Sequence, residues 1–318
     1  MIGPANRLRL ARKAQIARDI FELEFRRADA GDLPAFTAGA HIQIQVPNAL
    51  LRKYSLCNDP AERQRYVIAV KHESAGRGGS RSLIEEAKIG DDLPVSEPVN
   101  NFGLSKRAQF LVLIAGGIGI TPIMSMVRHL KSEPERQFKL YYCTRTPEAT
   151  AYRDELSAAE LRNKVKIHHD DGDPKRALDL WPILEQRKNL AHLYCCGPRA
   201  LMEAVRDMSG HWPPSAVHFE AFGDAETHKP DDKPFTLKLA RSGAIIDVAA
   251  GQTILEAMRA RGVDAPSSCE SGTCGTCRTR LLSGEADHRD LVLADGERGN
   301  QIMICVSRAR SAQLVIDR

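Results

Sequence analysis

Short apolar stretches alternate with polar residues in the first third of the chain, a pattern that is typical of β-strands. The strand patterns are Arg7–Ala17, Phe21–Arg26, His41–Val46 and Tyr66–Lys71. Turn residues separate them at Ala30–Asp32 and Asn58–Pro60, and one helix is predicted at Ser80–Lys88. Several short strands with frequent turns predict a small antiparallel β-barrel, which we place at residues 1–104.

The pattern changes in the middle of the chain. Phe110–Ala115 is a continuous apolar run, as expected for a strand buried on both faces. Further strands are predicted at Phe138–Cys143, Val165–His168, His192–Cys196 and Val217–Phe222. Helices are predicted between them at Pro122–Lys131, Arg153–Leu161, Leu178–Gln186 and Pro198–Ser209. This alternation predicts a parallel sheet, and hence an α/β domain at residues 105–224.

A polar segment, Gly223–Pro234, follows and is typical of an interdomain linker, which we assign to residues 225–234. The last segment, residues 235–318, contains a predicted hairpin, Phe235–Ala240 with Ile245–Val248. A helix at Thr253–Arg261, a cysteine-rich loop and short strands come after it. We therefore expect a third domain of the α+β class.

Charge and hydropathy narrow the function classes. The 318 residues include 45 basic and 41 acidic side chains, so no excess of basic residues indicates a nucleic-acid partner. No run of 18 apolar residues predicts a membrane helix, and Met1–Arg18 lacks the apolar core of a secretory signal. We expect a cytoplasmic protein, and in that compartment its eight cysteines are not expected to form disulfides.

Four cysteines have the spacing of iron–sulfur ligands. Cys269, Cys274 and Cys277 form a C-x4-C-x2-C motif, and 27 residues separate Cys277 from Cys305. This is the plant-type [2Fe–2S] pattern, and the small residues between the first three cysteines allow a loop to wrap closely around a cluster. Structural zinc is the alternative, but it usually takes two C-x2-C pairs or a C-x2-C with a histidine pair. Cys57, Cys143 and Cys195 are expected to pack as small hydrophobic residues.

A glycine-rich turn follows the first strand of the α/β domain. It contains Gly116, Gly117 and Gly119, and Thr121-Pro122 takes the place of a third glycine of the dinucleotide fingerprint. Glycines between a strand and a helix let a phosphate-bearing ligand approach the backbone, although a purely structural turn is the alternative. Other predicted strand ends carry Thr144-Arg145, Asp170–Asp173 and Cys196-Gly197-Pro198. Cys196 is placed beside a nicotinamide ring, and Arg145 is either a ribose or pyrophosphate contact or an ordinary surface charge.

Two segments of the barrel suit a flavin. Arg52-Lys53-Tyr54-Ser55-Leu56 combines a cation, an aromatic ring and a hydroxyl, which can bind a phosphate, a flavin edge and a reactive nitrogen. Gly76-Arg77-Gly78-Gly79-Ser80 opens the predicted helix, with Ser80 as the expected N-cap of an anion site. A flexible solvent loop is the alternative for the second segment.

With these motifs in this order, the sequence resembles the phthalate dioxygenase reductase family, which includes vanillate demethylase reductases. The resemblance covers essentially the whole chain and implies an FMN-binding barrel, an NADH domain and a plant-type ferredoxin domain. It implies that Arg52, Tyr54 and Ser55 hold the FMN ring and ribityl chain, and that Gly78, Gly79 and Ser80 bind its phosphate. Thr121 is expected to face the flavin and Phe222 to stack on it; Lys53, Lys71, Thr144, Arg145 and Gly197 are further cofactor-binding candidates.

The resemblance implies a reductase that carries electrons from NADH, in preference to NADPH, through FMN and the cluster. The expected partner is the terminal oxygenase of a Rieske-type system, bound transiently by a monomeric reductase. Ser55, Thr121 and Cys196 are the candidate catalytic residues at the hydride-transfer site. Two alternatives stay open: a reductase of its own small acceptor, such as a flavin or quinone, and a non-enzymatic redox sensor or electron carrier.

Overall fold

A computed structural model describes residues 6–74, 76, 78–222 and 229–318. The chain divides into two compact units, Met1–His218 and Phe219–Arg318. Arg77 and part of the predicted linker, residues 223–228, lie outside the described residues. Among the described residues, no helix combines the length and the apolar character that crossing a membrane requires.

The first unit begins with a six-stranded antiparallel sheet. Its strands are β1 (Asn6–Ala17), β2 (Ile20–Arg26), β3 (His41–Gln45), β4 (Leu51–Ser55), β5 (Tyr66–Lys71) and β6 (Asp92–Val95), in the order β4-β3-β6-β1-β2-β5. An antiparallel bridge from Leu56 to Ile68 joins the two edge strands and closes the barrel. Alternate residues such as Leu8, Leu23 and Ile42 fill its core, which explains the apolar–polar alternation of the sequence.

Two of these strands were not predicted. In β4, Arg52 and Lys53 are adjacent cations and Leu51 is 40% exposed, so the strand shows no apolar alternation. In β6, Pro94 lacks an N–H donor and lowers the apparent strand propensity. The helix α1 (Gly79–Glu85) starts one residue before the predicted Ser80 and ends three residues before Lys88.

The second part of this unit is the predicted α/β domain. Strands β7 (Phe110–Gly116), β8 (Gln137–Thr144), β9 (Val165–His169), β10 (Ala191–Cys196) and β11 (Val217–Glu220) are ordered β11-β10-β7-β8-β9. The pairs β10/β7, β7/β8 and β8/β9 are parallel. The chain passes from β7 to β8 on one side of β7, and from β9 it returns to β10 on the opposite side of β7. The strands β7 and β10 therefore flank a topological switch point.

Four helices accompany this sheet: α2 (Ile120–Leu130), α3 (Arg153–Leu156), α4 (Trp181–Leu184) and α5 (Arg199–Met208). The helices α3 and α4 are shorter than predicted. A 3-10 turn replaces the end of the first one at Ala159–Leu161. The second begins late because Pro182 is suited to a first helical turn.

The barrel and the α/β domain share a hydrophobic core within the first unit. Val67 of the barrel belongs to the same buried cluster as Met124 of α2. Polar contacts reinforce the junction: Ser125 Oγ donates to the Asn58 carbonyl at 2.9 Å, and Arg128 donates to the Cys57 carbonyl at 2.8 Å. The turn after β4 is therefore fixed against the helix that follows the glycine-rich turn.

The second unit contains a five-stranded sheet in the order β13-β12-β18-β14-β16 and a small sheet of β15 and β17. The strands are β12 (Phe235–Leu239), β13 (Ile245–Val248), β14 (Arg278–Ser283), β15 (Ala286–Asp287), β16 (Gln301–Met303), β17 (Arg308–Ala309) and β18 (Gln313–Ile316). Its helix α6 (Ile254–Ala260) begins with a capping box between Thr253 and Glu256. The three-part fold class expected from the sequence is thus confirmed.

The described end of the predicted linker is anchored to the second unit. Asp232 is buried and forms an ion pair with Arg289, which also binds Asp287 at 2.6 Å. The buried Arg308 donates to the carbonyls of Lys233 and Ala249 at 2.9 and 3.0 Å. Residues 229–234 therefore belong structurally to the domain that follows them.

Two histidines are stacked inside the α/β domain. His192 Nδ1 lies 3.0 Å from His218 Nε2, and the ring of His218 also stacks on Tyr194 with a centroid distance of 4.4 Å. Burial, with a smaller contribution from His192, lowers the pKa of His218 to about 4. The folded state therefore holds His218 in its neutral form.

We predict that the first unit loses stability as the pH falls from about 6.5, the ordinary histidine pKa, to about 4. In that window the unfolded chain binds a proton that folded His218 excludes, at a cost of up to about 3 kcal/mol. Thermal unfolding followed by circular dichroism across this pH range measures the effect. His218→Gln should reduce the pH dependence, and the exposed His211→Gln should leave it unchanged; equal slopes in all three proteins contradict the prediction.

Candidate cofactor sites

Strand β4 places Tyr54 on the barrel wall with its hydroxyl inside the protein. Tyr54 pairs with Ile42 of β3 and packs partly against the barrel core. Its hydroxyl oxygen is buried and has no hydrogen-bond partner in the protein. Burial raises the pKa of Tyr54 to about 12, against a smaller opposing effect of Arg52. A protonated phenol with no protein partner suits a polar ligand atom, which fits the predicted flavin contact.

Arg52 lies against the start of α1. A Cβ atom on Gly79 would be 2.4 Å from Arg52 Nε, so a larger residue there would displace the Arg52 side chain from its present position. Gly78 has a φ of 82°, a conformation that favours glycine. The turn before β4 is tied to the same place, because the Asn48 amide donates to the Gly78 carbonyl at 3.3 Å. The structure thus brings together the two segments that the sequence assigned to one flavin.

The expected N-cap role of Ser80 is wrong. Gly78 is the N-cap residue and no side chain caps the helix. The Ser80 hydroxyl instead accepts a hydrogen bond from the Glu73 N–H at 3.4 Å. Ser80 lies in the first turn of α1, because the left-handed Gly78 is the N-cap and the helix begins two residues earlier than a Ser80 cap would allow.

Lys13 holds the other end of this helix and was not predicted. Its Nζ donates to the carbonyls of Ile84 at 2.8 Å and Ala87 at 2.6 Å. The last carbonyls of a helix have no partner within it, and a cation there is favourable. No local sequence signal identifies Lys13, since its partners lie about seventy residues away.

Most of the glycines in the second motif serve close packing between two strand ends. A Cβ atom on Gly119 would be 2.2 Å from the Cys196 carbonyl oxygen, and one on Gly116 would be 2.6 Å from the Pro198 ring. A Cβ atom on Gly197 would be 2.9 Å from the Gly116 nitrogen. These three glycines therefore allow the β7 and β10 junctions to touch. From the sequence, Gly116 and Gly119 were expected to let a phosphate-bearing ligand approach the backbone.

Gly117 has a different environment. Its φ is 52°, and no atom lies within 4 Å of the position that a Cβ would take. Its carbonyl accepts a hydrogen bond from the Tyr142 hydroxyl at 3.1 Å, which fixes the turn. The turn also contacts β5 of the barrel. An open stretch of backbone at the switch point is thus held next to the barrel.

The other candidates in the first unit have varied surroundings. Thr121 is buried and donates to the Ile118 carbonyl at 3.0 Å, and Cys196 is fully buried. The Thr144 hydroxyl lies 2.8 Å from that of Thr150 and 2.9 Å from His169 Nδ1, so its hydrogen bonds are made with other groups of the protein. Among the described residues, no ion pair is found for the exposed Arg145.

Three further candidates flank these motifs. Ser55 is buried opposite His41, and Lys53 is exposed on the same strand. Lys71 forms an ion pair with Glu73. In the second unit, Phe222 is 40% exposed.

The four motif cysteines form two pairs. The side chains of Cys269 and Cys274 interact with each other, which lowers the pKa of Cys269 and raises that of Cys274, and the Cys274 thiol donates to the Thr276 hydroxyl at 3.3 Å. Cys277 and Cys305 interact with each other as well, which lowers the pKa of Cys277 and raises that of Cys305. Cys277 and Cys305 are buried, whereas Cys269 and Cys274 are partly exposed. All eight cysteines of the chain are free.

The backbone of this loop suits a sulfur cluster. The Ser271 N–H donates to the Cys269 sulfur at 3.4 Å. Gly272 and Gly275 have φ values of 72° and 81°, which side chains rarely adopt. No group of three or more His, Cys, Asp or Glu side chains within the described ranges is placed to hold one metal ion. Two pairs of thiols match a two-iron cluster, in which each iron takes two protein ligands, better than a single tetrahedral zinc.

Three family models match successive segments of the chain. An oxidoreductase FAD-binding domain matches residues 7–103, an oxidoreductase NAD-binding domain matches residues 113–207, and a 2Fe-2S iron-sulfur cluster binding domain matches residues 237–310. The three ranges coincide with the barrel, the α/β domain and the domain of the cysteine loop.

Whole-chain similarities agree with these domains. The chain is 56% identical to a phthalate dioxygenase reductase of Burkholderia cepacia, over 98% of this chain and 97% of that protein. It is 53% identical to the phthalate 4,5-dioxygenase oxygenase reductase subunit of Pseudomonas putida, over 98% of this chain and 96% of that protein. A solved structure of phthalate dioxygenase reductase superposes with a TM-score of 0.75 at 55% identity, covering 99% of this chain and 98% of that one.

We predict that Tyr54→Phe weakens flavin binding roughly three- to tenfold, the equivalent of about 1 kcal/mol for one hydrogen bond. The stability of the flavin-free protein should not fall, because the hydroxyl has no protein partner to lose. Fluorescence titration with the flavin measures the affinity, and urea unfolding measures the stability.

Tyr66→Phe is the matched control. The buried Tyr66 hydroxyl donates to the Pro34 carbonyl at 2.5 Å, so its removal should cost about 1 kcal/mol of stability with little change in flavin affinity. If Tyr54→Phe instead destabilises the flavin-free protein and binds flavin normally, the contact assigned to Tyr54 is wrong.

Proposed function

The chain belongs to the phthalate dioxygenase reductase family, and we propose that the residues described above carry out this family's reaction in it. The family transfers electrons from NADH through FMN and a [2Fe–2S] cluster to an oxygenase, as the sequence predicted. A flavin bound here would supply the link between NADH, a two-electron donor, and the cluster, a one-electron acceptor. The observation that carries the assignment is the pairing of the four motif thiols in the same chain as the Arg52–Gly79 contact.

In the proposed flavin site, Tyr54 donates its free hydroxyl to the ring system and Arg52 binds the phosphate. The space at Gly79 keeps the guanidinium beside the start of α1, where Gly78 and Ser80 supply backbone N–H groups. Lys13 and Asn48 hold the two ends of this helix in place. Binding by a cation and by N–H groups suits the terminal phosphate of a mononucleotide.

In the proposed nicotinamide site, the open backbone at Gly117 receives the dinucleotide at the switch point between β7 and β10. Thr121 and Cys196 form its inner wall: Cys196 is the last residue of β10, Thr121 lies in the first turn of α2, and both are buried. The buried surroundings exclude water from the hydride path. Arg145, exposed at the end of β8, is available to the ribose or pyrophosphate.

In the proposed cluster site, Cys269 and Cys274 hold one iron and Cys277 and Cys305 hold the other. The partly exposed pair marks the side of the loop from which electrons leave, since the other pair is buried. We propose that the terminal oxygenase binds transiently over this side. A monomeric state and a cytoplasmic location also remain predictions; light scattering of the purified protein tests the first.

We predict that Cys274→Ser retains reduction of the flavin by NADH but loses at least 100-fold in transfer to cytochrome c, a one-electron protein acceptor. The hydride path lies in the first unit, whereas the substitution removes a cluster ligand in the second. Stopped-flow absorbance during anaerobic NADH addition measures both steps in one experiment.

Cys143→Ser is the control, because Cys143 is a partly buried cysteine of β8 outside the motif. It should leave both rates unchanged. Undiminished transfer in Cys274→Ser contradicts the electron path. Parent protein that contains zinc, or flavin without iron, contradicts the cluster and favours a reductase of small acceptors.

A further inference from the structure

A buried histidine and carboxylate lie beside the cysteine loop, and the reaction described above uses neither. His288 and Asp290 follow β15. The side chain of Asp290 is fully buried and that of His288 is 11% exposed. His288 Nδ1 and Asp290 Oδ1 face each other at 3.8 Å, and neither atom has a hydrogen-bond partner in the protein.

The remaining hydrogen bonds of the pair locate its protons. His288 Nε2 lies 2.9 Å from the Arg298 carbonyl oxygen, which can only accept, so Nε2 carries a proton. Asp290 Oδ2 accepts from two backbone N–H groups, those of Val292 at 3.1 Å and Leu293 at 2.8 Å. With a neutral ring, the lone pair of Nδ1 would face the lone pairs of Oδ1 in a buried place. A second proton on Nδ1 converts this unfavourable contact into an ion pair.

The loop that carries this pair packs directly on the cysteine loop. The Leu291 N–H donates to the Gly272 carbonyl at 3.0 Å. A Cβ atom on Gly272 would be 3.1 Å from Asp290 Cα and 2.7 Å from the side chain of Val306, the residue after Cys305. The segment that carries His288 and Asp290 is therefore packed against the cysteine loop, and Asp290 is the member of the pair that lies next to Gly272.

The charged groups near His288, other than Asp290, form ion pairs with partners of their own. Arg289 is engaged by Asp232 and Asp287. Further ionic groups lie on the turn that follows, whose Arg298 carbonyl binds His288. There, Arg298 Nε is buried without a hydrogen-bond partner and lies 3.7 Å from the exposed Asp295.

The other charged pair of this turn joins Arg278 to Glu297 at 2.9 Å. Within the described part of the second unit, His288 is the one histidine.

We propose that a second proton on His288, held in place by Asp290, raises the reduction potential of the cluster bound by the neighbouring loop. The proposal rests on the cluster site assigned above. Each reduction adds one electron to the cluster, and a nearby cation stabilises that charge through the poorly screened interior. When the pH rises and His288 releases this proton to solvent, the stabilisation is lost and the potential falls. Asp290 acts as a positioning residue for the charged ring.

The test is a redox titration of the full-length holoprotein, followed by the electron paramagnetic resonance signal of the reduced cluster. It runs from about pH 5.5 to about pH 9, which brackets the ordinary histidine pKa near 6.5. The parent potential should fall with rising pH by up to tenfold in the reduction equilibrium constant per pH unit, about 59 mV. His288→Gln should have a lower potential at acid pH and no pH step.

Asp290→Asn keeps the shape of the side chain but removes its charge, so the step should move to lower pH. His211→Gln, an exposed histidine of the first unit, should reproduce the parent curve. A parent potential that does not change with pH overturns the proposal, as does a His288→Gln curve that matches the parent. If His288→Gln does not retain the cluster, the pH dependence of the parent potential and the shift of that dependence in Asp290→Asn test the proposal instead.

The same samples separate this proposal from the proposed function. Iron content and the visible spectrum report whether the cluster is present, and NADH-driven bleaching reports the electron path. Protein without iron means that the cluster assignment itself has failed. A cluster that is reduced by NADH at a pH-independent potential leaves the function intact and rejects only the role of His288.

Discussion

The close approach of two backbone segments at the centre of the parallel sheet is the constraint on which the first unit depends. Gly119 lies against the carbonyl of Cys196, where a single methyl group would be 2.2 Å from the oxygen. This contact brings the ends of β7 and β10 together and sets the path of the chain into α2. Because α2 carries Ser125 and Arg128, the same contact determines where the barrel can dock. Within this unit, the packing of the sheet, the geometry of the site and the docking of the barrel thus all depend on the contact between Gly119 and Cys196.

The motifs with local spacing could be predicted from the sequence. The four cysteines, the glycine-rich turn and the Arg52–Ser55 segment were recognised because each chemistry needs certain residue types within a few positions. The approach of the glycine-rich turn to Cys196 followed from strand order, since parallel strands bring their carboxyl ends to one edge of the sheet. The fold class was predictable for the same reason, because apolar runs and glycines mark strands and turns directly.

Features that depend on distant partners could not be predicted. Lys13 and the helix end that it caps are about seventy residues apart, and nothing in the local pattern around Lys13 indicates the contact. The role of Ser80 was misjudged because the sequence does not reveal that Gly78 adopts a left-handed conformation. Strand β4 was not predicted because its two adjacent cations and its exposed Leu51 give no alternation of apolar and polar residues.

The shared core of the first unit bears on how such proteins can be recombined. The family models place a boundary between residues 103 and 113, yet one buried cluster crosses it and joins Val67 to Met124. A chimaera cut at that boundary would combine two mismatched halves of one hydrophobic interior, and the Cys57–Asn58 turn would lose the arginine and serine that bind it. Exchange of the two domains as a single cassette avoids this cost. The second unit has a hydrophobic core of its own and can serve as a separate module in gene fusion.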